Sequence, residues 1–411
     1  MSEWRTYRIA DLGRIVTGKT PPSSQPELFE GDIPFITPSD MAYDHRNIST
    51  ERFVSTDWDS KKRTLLPARA VCVVCIGATI GKICMTSKPS QTNQQVNSVI
   101  VDPDRFDQGF VYYGLRTKAD ELVARAAGAA TPIINKTAFS EVEIDAPSLP
   151  TQRRIASILG TYDDLIEVNR RRIAGLEEMA RGLFEEWFVR FRFPGHEAAS
   201  IEDTPDGLSP QGWAFDTLGK VAAINAASLK PTAAPAEIGY IDIASVSPGQ
   251  INAINHMPFS EAPGRARRLV KDGSILWSNV RPNRRSFALV LDPAPEIVAS
   301  TGFTVLDAKE TSFTYLYHWV TTENFTGYLV GNAQGAAYPA VTAATFERAI
   351  VLLPPSDLVG RFTDFAEPML RLCDDLRKSN VCLAASRDLL LPRLISGQLS
   401  VAQAERELEA A

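Results

Sequence analysis

The side chains best suited to chemistry lie between positions 265 and 285. Arg265, Arg267, Arg268 and Lys271 are followed by Asn279, Arg281, Asn283, Arg284 and Arg285, the densest cationic stretch of the 411-residue chain. A guanidinium can donate two parallel hydrogen bonds to a guanine edge, a carboxamide matches adenine in the same way, and further cations hold phosphates. A solvated face would contain the same residue types. However, segment 206–355 carries 11 Lys and Arg against 12 Asp and Glu, and a cationic cluster on a near-neutral background draws a polyanion. DNA contact is the reading preferred there. Earlier in the chain the equivalent candidates are Lys19, the run Lys61-Lys62-Arg63, and Lys82, with idle surface charge as the alternative. Gln91, Asn93, Gln94 and Gln95 carry amides suited to base edges, but a polar strand edge or turn accounts for them too, and structure is preferred.

Catalytic signatures do not assemble. Cys72 and Cys75 form a CxxC, but inside an apolar strand residues three apart face opposite ways. Only Cys84 is near, and no histidine completes a zinc site. The segment from Gly77 through Gly81-Lys82 is one residue short of a phosphate-binding loop, lacks the following Ser or Thr, and continues as strand. His45, His196, His256 and His318 are far apart, and no nucleophile elbow, amino-methyltransferase signature or GxGxxG loop accompanies them. The chain is expected to catalyse nothing and to hold no metal or cofactor of its own.

The elements that must carry these side chains are set by composition and periodicity. A hydrophobic share of 44% and a charged share of 22% are ordinary for a globular protein, and the length suits two or three domains. No apolar run is long enough for a membrane helix, the N-terminus lacks an apolar signal core, and five cysteines without framework spacing fit reduced thiols. A cytoplasmic protein is expected. Between Pro147 and Pro194 lies a stretch rich in Leu, Ile, Arg and Glu. It predicts a short helix over 152–159, an interruption at Gly160, and a longer helix opened by Thr161 and Asp164 as a capping box. Ile166, Asn169, Ile173, Leu176, Ala180, Leu183 and Trp187 then step by three and four, a seam that needs another helix. A second seam runs through Met369, Leu372, Leu376, Ser379, Leu383, Ser386 and Leu390. Thirty residues at about 1.5 Å each make a rod of roughly 45 Å.

The globular parts repeat. Residues 1–150 carry 17 Lys and Arg against 18 Asp and Glu, so both globular parts are near neutral and the helical stretches hold the remaining excess of acid. Strands are expected at IPFI (33–36) and AVCVVCI (70–76), helix over 107–127, and a turn, a helix start and a final strand within 128–144. A linker by composition follows at 194–212. Leu12-Gly13 then finds Leu218-Gly219, IPFI finds IGYI (238–241), VCVV (71–74) finds ILWS (275–278), GAATP (128–132) finds GAAYP (335–339), and ARGLFEEWFV (180–189) finds SRDLLLPRLI (386–395). The offsets stay between 204 and 207 residues, which marks a tandem duplication of a globular unit followed by a helical one. Two equal units related by a pseudo-two-fold axis would pair their helices antiparallel, with one globular domain at each end. Asn169 either sets the register of that pair or faces solvent at a frayed edge.

A globular domain, a helix opening on LPTQRRIASIL (149–159), a second such domain and a helix ending LLPRLISGQL (390–399) resemble the specificity subunit of Type I restriction-modification systems. The resemblance covers nearly the whole chain. In the first half it includes GKTP (18–21), GDIPFITPSDM (31–41), CIGATIGK (75–82), TNQQVN (92–97) and INK (134–136). The second half departs from that pattern, reading WSNVRPNRRSFAL (277–289) where CIGATIGK would stand and IVASTGF (297–303) in place of the TNQQ segment. The resemblance implies an α+β fold, with two mixed, strand-rich target-recognition domains separated by two long antiparallel helices forming a coiled coil. The expected boundaries are target-recognition domains at 1–150 and 213–355, spacer helices at 151–193 and 356–397, the linker, and a C-terminal tail at 398–411. It further implies that the chain reads a bipartite double-stranded DNA site with a fixed gap. Two methyltransferase subunits and motor-nuclease subunits would be its partners, holding S-adenosylmethionine, ATP and magnesium between them. A helical-hairpin adaptor whose end domains bind proteins is the competing class.

Overall fold

The run Val71–Val74 sits in the middle of a sheet whose order is Gly13–Thr17, Val96–Val101, Val71–Val74, Ile83–Thr86, Asn47–Ile48, in a computed structural model that describes residues 4–58, 64–126, 132–205 and 207–409. Val71 and Val73 point into a core shared with helices, while Cys72 and Val74 point into another with Val16, Ile36 and Val96. A strand covered on both faces reads as an unbroken apolar run. Cys75 falls in the first core and Cys72 in the second, so the CxxC pair is split across the sheet. Burial pushes the Cys75 thiol up to about 11.

By its packing the chain divides into two units, one of residues up to Arg170 and from Arg377 on, the other Arg171–Leu376. The first unit adds a smaller sheet ordered Phe53–Val54, Ile33–Ile36, Gln91–Thr92, whose last pair is parallel. A ribbon of Arg5–Arg8 with Glu143–Ala146 completes it. The second unit repeats this plan. Its central sheet runs Ala222–Ile224, Phe303–Ala308, Ser274–Ser278, Phe287–Val290, its second sheet pairs Glu237–Ile241 with Ile297–Ser300 in parallel, and Ala214–Thr217 lies on Ile350–Leu353. The class is α+β, and the repeat is one of topology as well as sequence. One landmark moves. Ile9 donates its backbone N–H to Val142 at 2.8 Å and Leu218 to Ala349 at 2.7 Å, so Leu218 answers Ile9 rather than Leu12.

Each long helix, Leu149–Phe184 and Ser356–Ile395, contributes to both units. Within the first unit Asn169 donates its amide to Asn380 Oδ1 at 3.0 Å, and Arg387 forms an ion pair with Asp163. Residue numbers rise on one helix as they fall on the other, so the segments are antiparallel. Asn169 is buried and bonded across the seam, which matches the register-setting reading. Within the second unit Ile173 packs with Cys373 and Leu376, and Phe184 meets Phe362 at 6.0 Å, again antiparallel. There the first helix widens into a π-helix over Glu185–Val189, which brings Trp187 and Phe188 into one aromatic cluster with Phe362. His318 stacks on Phe184 at 5.5 Å; burial, and then the Arg181 charge, pull its imidazole down to about 3.

Three expectations need correction. The first long helix is not interrupted at Gly160. The glycine is buried where a Cβ would lie 2.9 Å from an Arg46 nitrogen, and the Thr161 hydroxyl donates back to Ser157 O at 2.9 Å instead of capping a new helix. The second seam is out of phase: Leu376 is buried, Met369, Leu383 and Leu390 are half-buried, and Leu372, Ser379 and Ser386 are exposed. The buried line is Ala366, Leu370, Cys373, Leu376, Arg387, Leu391 and Leu394. Stretch 194–212 is more than a linker, since it holds a hairpin of Ile201–Thr204 with Gly207–Pro210. Within the expected C-terminal tail, the described residues 398–409 belong to the first unit's fold. Leu399, Val401 and Ala404 enter the first unit's core, and helix Val401–Glu409 follows a turn at Gly397. Gly397 has φ +74 and lies against the Trp4 ring, where only glycine avoids both strain and clash.

Candidate nucleic-acid interface

The motifs of the first half converge at one end of the central sheet. Gly18 N donates to Val96 O at 3.1 Å and Lys19 N to Thr92 O at 2.9 Å, while Cys75 N donates to Gln95 O at 2.8 Å. Gly77 N reaches Pro132 O at 3.0 Å and Ile134 N reaches Cys75 O at 2.8 Å. Loops 18–20, 76–82, 93–95 and 132–134 therefore share one face, although the sequence separates them. The Thr20 hydroxyl donates to Gln94 Oε1 at 2.5 Å. Lys82 extends the face, donating to Pro38 O at 3.3 Å and lying 5.5 Å over the ring of Tyr43, which is 58% exposed. Beside it burial works against the Asp40 carboxylate, but hydrogen bonds from Arg52 and Thr37 outweigh it and hold the group below its ordinary range.

The predicted residues of this unit fare unequally. Lys19 and Gln94 are exposed on the face. Gln91 is fully buried and accepts from Thr64 at 3.3 Å; Asn93 and Gln95 bond each other at 2.9 Å. These three amides hold the loops together. Lys61, Lys62 and Arg63 lie outside the described residues.

The second unit brings the same loops together with other side chains. Asn279 N donates to Gly302 O at 2.8 Å, Val341 N to Asn279 O at 2.9 Å and Arg281 N to Pro339 O at 2.7 Å. Between them Pro282–Arg284 makes a single 3-10 turn, bracketed by Arg281 and Arg285 in the left-handed region at φ 52 and 55. Asn283 and Arg284 are exposed. Arg285 is tied back, to Glu323 at 2.8 Å and to Thr321 O at 3.1 Å. Asn279 accepts from Thr304 at 2.7 Å, so its amide oxygen is engaged within the fold.

The long cationic cluster of the sequence is divided. Thr301 N donates to Arg265 O at 2.8 Å, which places Arg265 next to the Asn279 loop, with its Nε on Tyr240 Oη at 3.0 Å. Arg267 instead lies 5.1 Å over the Phe259 ring, and burial lowers the pKa of Arg268. Lys271 precedes strand Ser274–Ser278 and Asn279 follows it, so the two stand at opposite ends of the strand, about 15 Å apart. Sequence reading missed the aromatic members, Tyr43 and Tyr338. Tyr338 is 69% exposed, and its signal was the change of GAATP to GAAYP at an otherwise repeated loop. Among the described residues no group of three or more His, Cys, Asp or Glu could hold a metal ion, and no helix is long and apolar enough to cross a membrane.

Residues 1–178 match the family model of the Type I restriction modification DNA specificity domain. Over nearly its whole length the chain is similar to Type I specificity subunits. It is 25% identical over 411 residues to the Type I restriction enzyme MjaIX specificity subunit of Methanocaldococcus jannaschii, covering 97% of this chain and 94% of the relative. Over 179 residues it is 38% identical to the HindI specificity subunit of Haemophilus influenzae, covering 41% of this chain and 38% of that one. The crystal structure of a Type I system S subunit from M. genitalium superposes with a TM-score of 0.57 at 16% identity, over 96% of each chain, a likeness of fold. Specificity subunits of Type I systems are non-catalytic.

Proposed function

We propose that this chain is a Type I specificity subunit and reads a bipartite double-stranded DNA site, one half-site per unit, across a gap of fixed length. It brings methyltransferase and motor-nuclease subunits to that site, and S-adenosylmethionine, ATP and magnesium belong to those partners. Its place of action is the cytoplasm, with the cell's DNA. The observation that carries the reading is the convergence of the same loops, held by the same backbone hydrogen bonds, in both units but with different exposed side chains: Lys19 and Gln94 in one, Asn283, Arg284 and Tyr338 in the other. One frame carrying two sets of edge-reading groups suits two unlike half-sites. Helices of 36 and 40 residues, at about 1.5 Å per residue, are long enough to match one turn of B-DNA, about 34 Å.

The test is binding of duplex DNA by the complex of this chain with its methyltransferase, at two salt concentrations. The expected affinity falls as salt rises, with the logarithmic slope of about 0.9 per neutralised phosphate. Absent or salt-independent binding would favour the protein-binding adaptor.

A further inference from the structure

At the offset of 204 residues Arg281 answers Gly77 and Arg285 answers Gly81. The backbones agree: Gly77 and Gly81 have φ +99 and +89, Arg281 and Arg285 have φ 52 and 55. Gly77 N donates to Pro132 O as Arg281 N donates to Pro339 O. The second unit thus places arginine twice where the backbone is left-handed and glycine is the unstrained choice. Arg285 is compensated by its bonds to Glu323 and Thr321. Arg281 is not. Among the described residues its guanidinium meets one weak acceptor, the Ala337 carbonyl at 3.4 Å, and lies 4.6 Å over the Tyr338 ring. That ring stands in the loop closed by reciprocal Gln334–Ala340 backbone bonds of 2.9 Å.

We propose that Arg281 reads a guanine in the half-site of the second unit, with Tyr338 as the positioning residue that holds its guanidinium plane. The assignment rests on the loop face being the DNA-reading face. A ring against one side of a guanidinium removes water there and fixes the plane, leaving in-plane N–H donors for a partner with two coplanar acceptors. Guanine O6 and N7 are such a pair. A phosphate requires charge but no fixed plane, and the exposed Arg284 on the same turn supplies charge already.

The experiment selects binders from duplexes randomised across the site, using the complex of the full chain with its methyltransferase. The wild type is expected to select guanine at one position of the second half-site. Arg281→Gly, which installs the residue the first unit uses at this backbone conformation, should fold and lose that preference by about 5- to 150-fold. Arg281→Lys should lose it too while keeping the salt dependence, because the charge remains and the plane does not. Tyr338→Phe should retain the preference and Tyr338→Ala weaken it at the same position only. Unchanged selection in Arg281→Gly or Arg281→Lys, selection of another base, or equal loss at both half-sites would overturn the assignment. A wild type that selects nothing in the second half-site would instead sink the DNA-reading function itself.

Discussion

Asp163→Asn is expected to destabilise the helix pair of the first unit by about 3 kcal/mol or more. Asp163 and Arg387 are 6% and 1% exposed and form an ion pair across the two helices. The Tyr113 hydroxyl donates to the other Asp163 oxygen at 2.5 Å, and Arg387 Nε donates to Asp388 at 2.9 Å. Burial opposes the Arg387 charge, but the bonds and attraction of Asp388 and Asp163 outweigh it and hold its pKa above the ordinary value. Removing one partner leaves a guanidinium short of its counter-charge in a place water does not reach. That stranded charge, rather than the lost bond, carries most of the cost. Asparagine still offers Tyr113 an acceptor, so the phenol is not the cause. Adding Arg387→Met should recover much of the loss, because nothing charged then remains buried. Hydrogen exchange of the helix amides near Asp163, in the full chain, reads the effect directly. Single variants with unchanged protection would show that the pair is not closed in solution.

Inserting four residues after Gly175 is expected to lengthen the gap between the two half-sites while leaving both half-sites intact. Gly175 is exposed, and a methyl group on its Cα would meet no heavy atom within 4 Å. Four residues add about 6 Å of helix and turn it by roughly 40° beyond a full turn. A four-residue insertion is a stutter that an antiparallel seam accommodates by local unwinding. On B-DNA that length is about one or two base pairs. Sequencing of methylated sites in cells carrying the altered subunit measures it. A gap of unchanged length would show that the helices do not set the spacing.

How much of this was legible depended on whether a position is governed by its neighbours in sequence or in space. The Val71–Val74 strand is apolar because both sheet faces are covered, and a run of β-branched residues announces that. The first seam, with Asn169 in it, follows from three-and-four spacing alone. The second seam does not, because its buried line contains Arg387, whose burial depends on Asp163 more than two hundred residues away; an apolar count steps past it to Leu390. Gly160 looks like a helix break until Arg46 is seen to need its space. The cationic cluster at 265–285 is continuous in sequence, yet strand Ser274–Ser278 carries Lys271 away from Asn279. Tyr338 stayed hidden because one aromatic in a loop is ordinary until an arginine from another loop lies across it.

The most direct test of the central claim is to map methylated bases in cells expressing this chain with its methyltransferase partner. The account predicts a single motif of two unlike half-sites separated by a constant number of unspecified base pairs, absent when the chain is absent. A contiguous motif, or the same methylation without the chain, would contradict it.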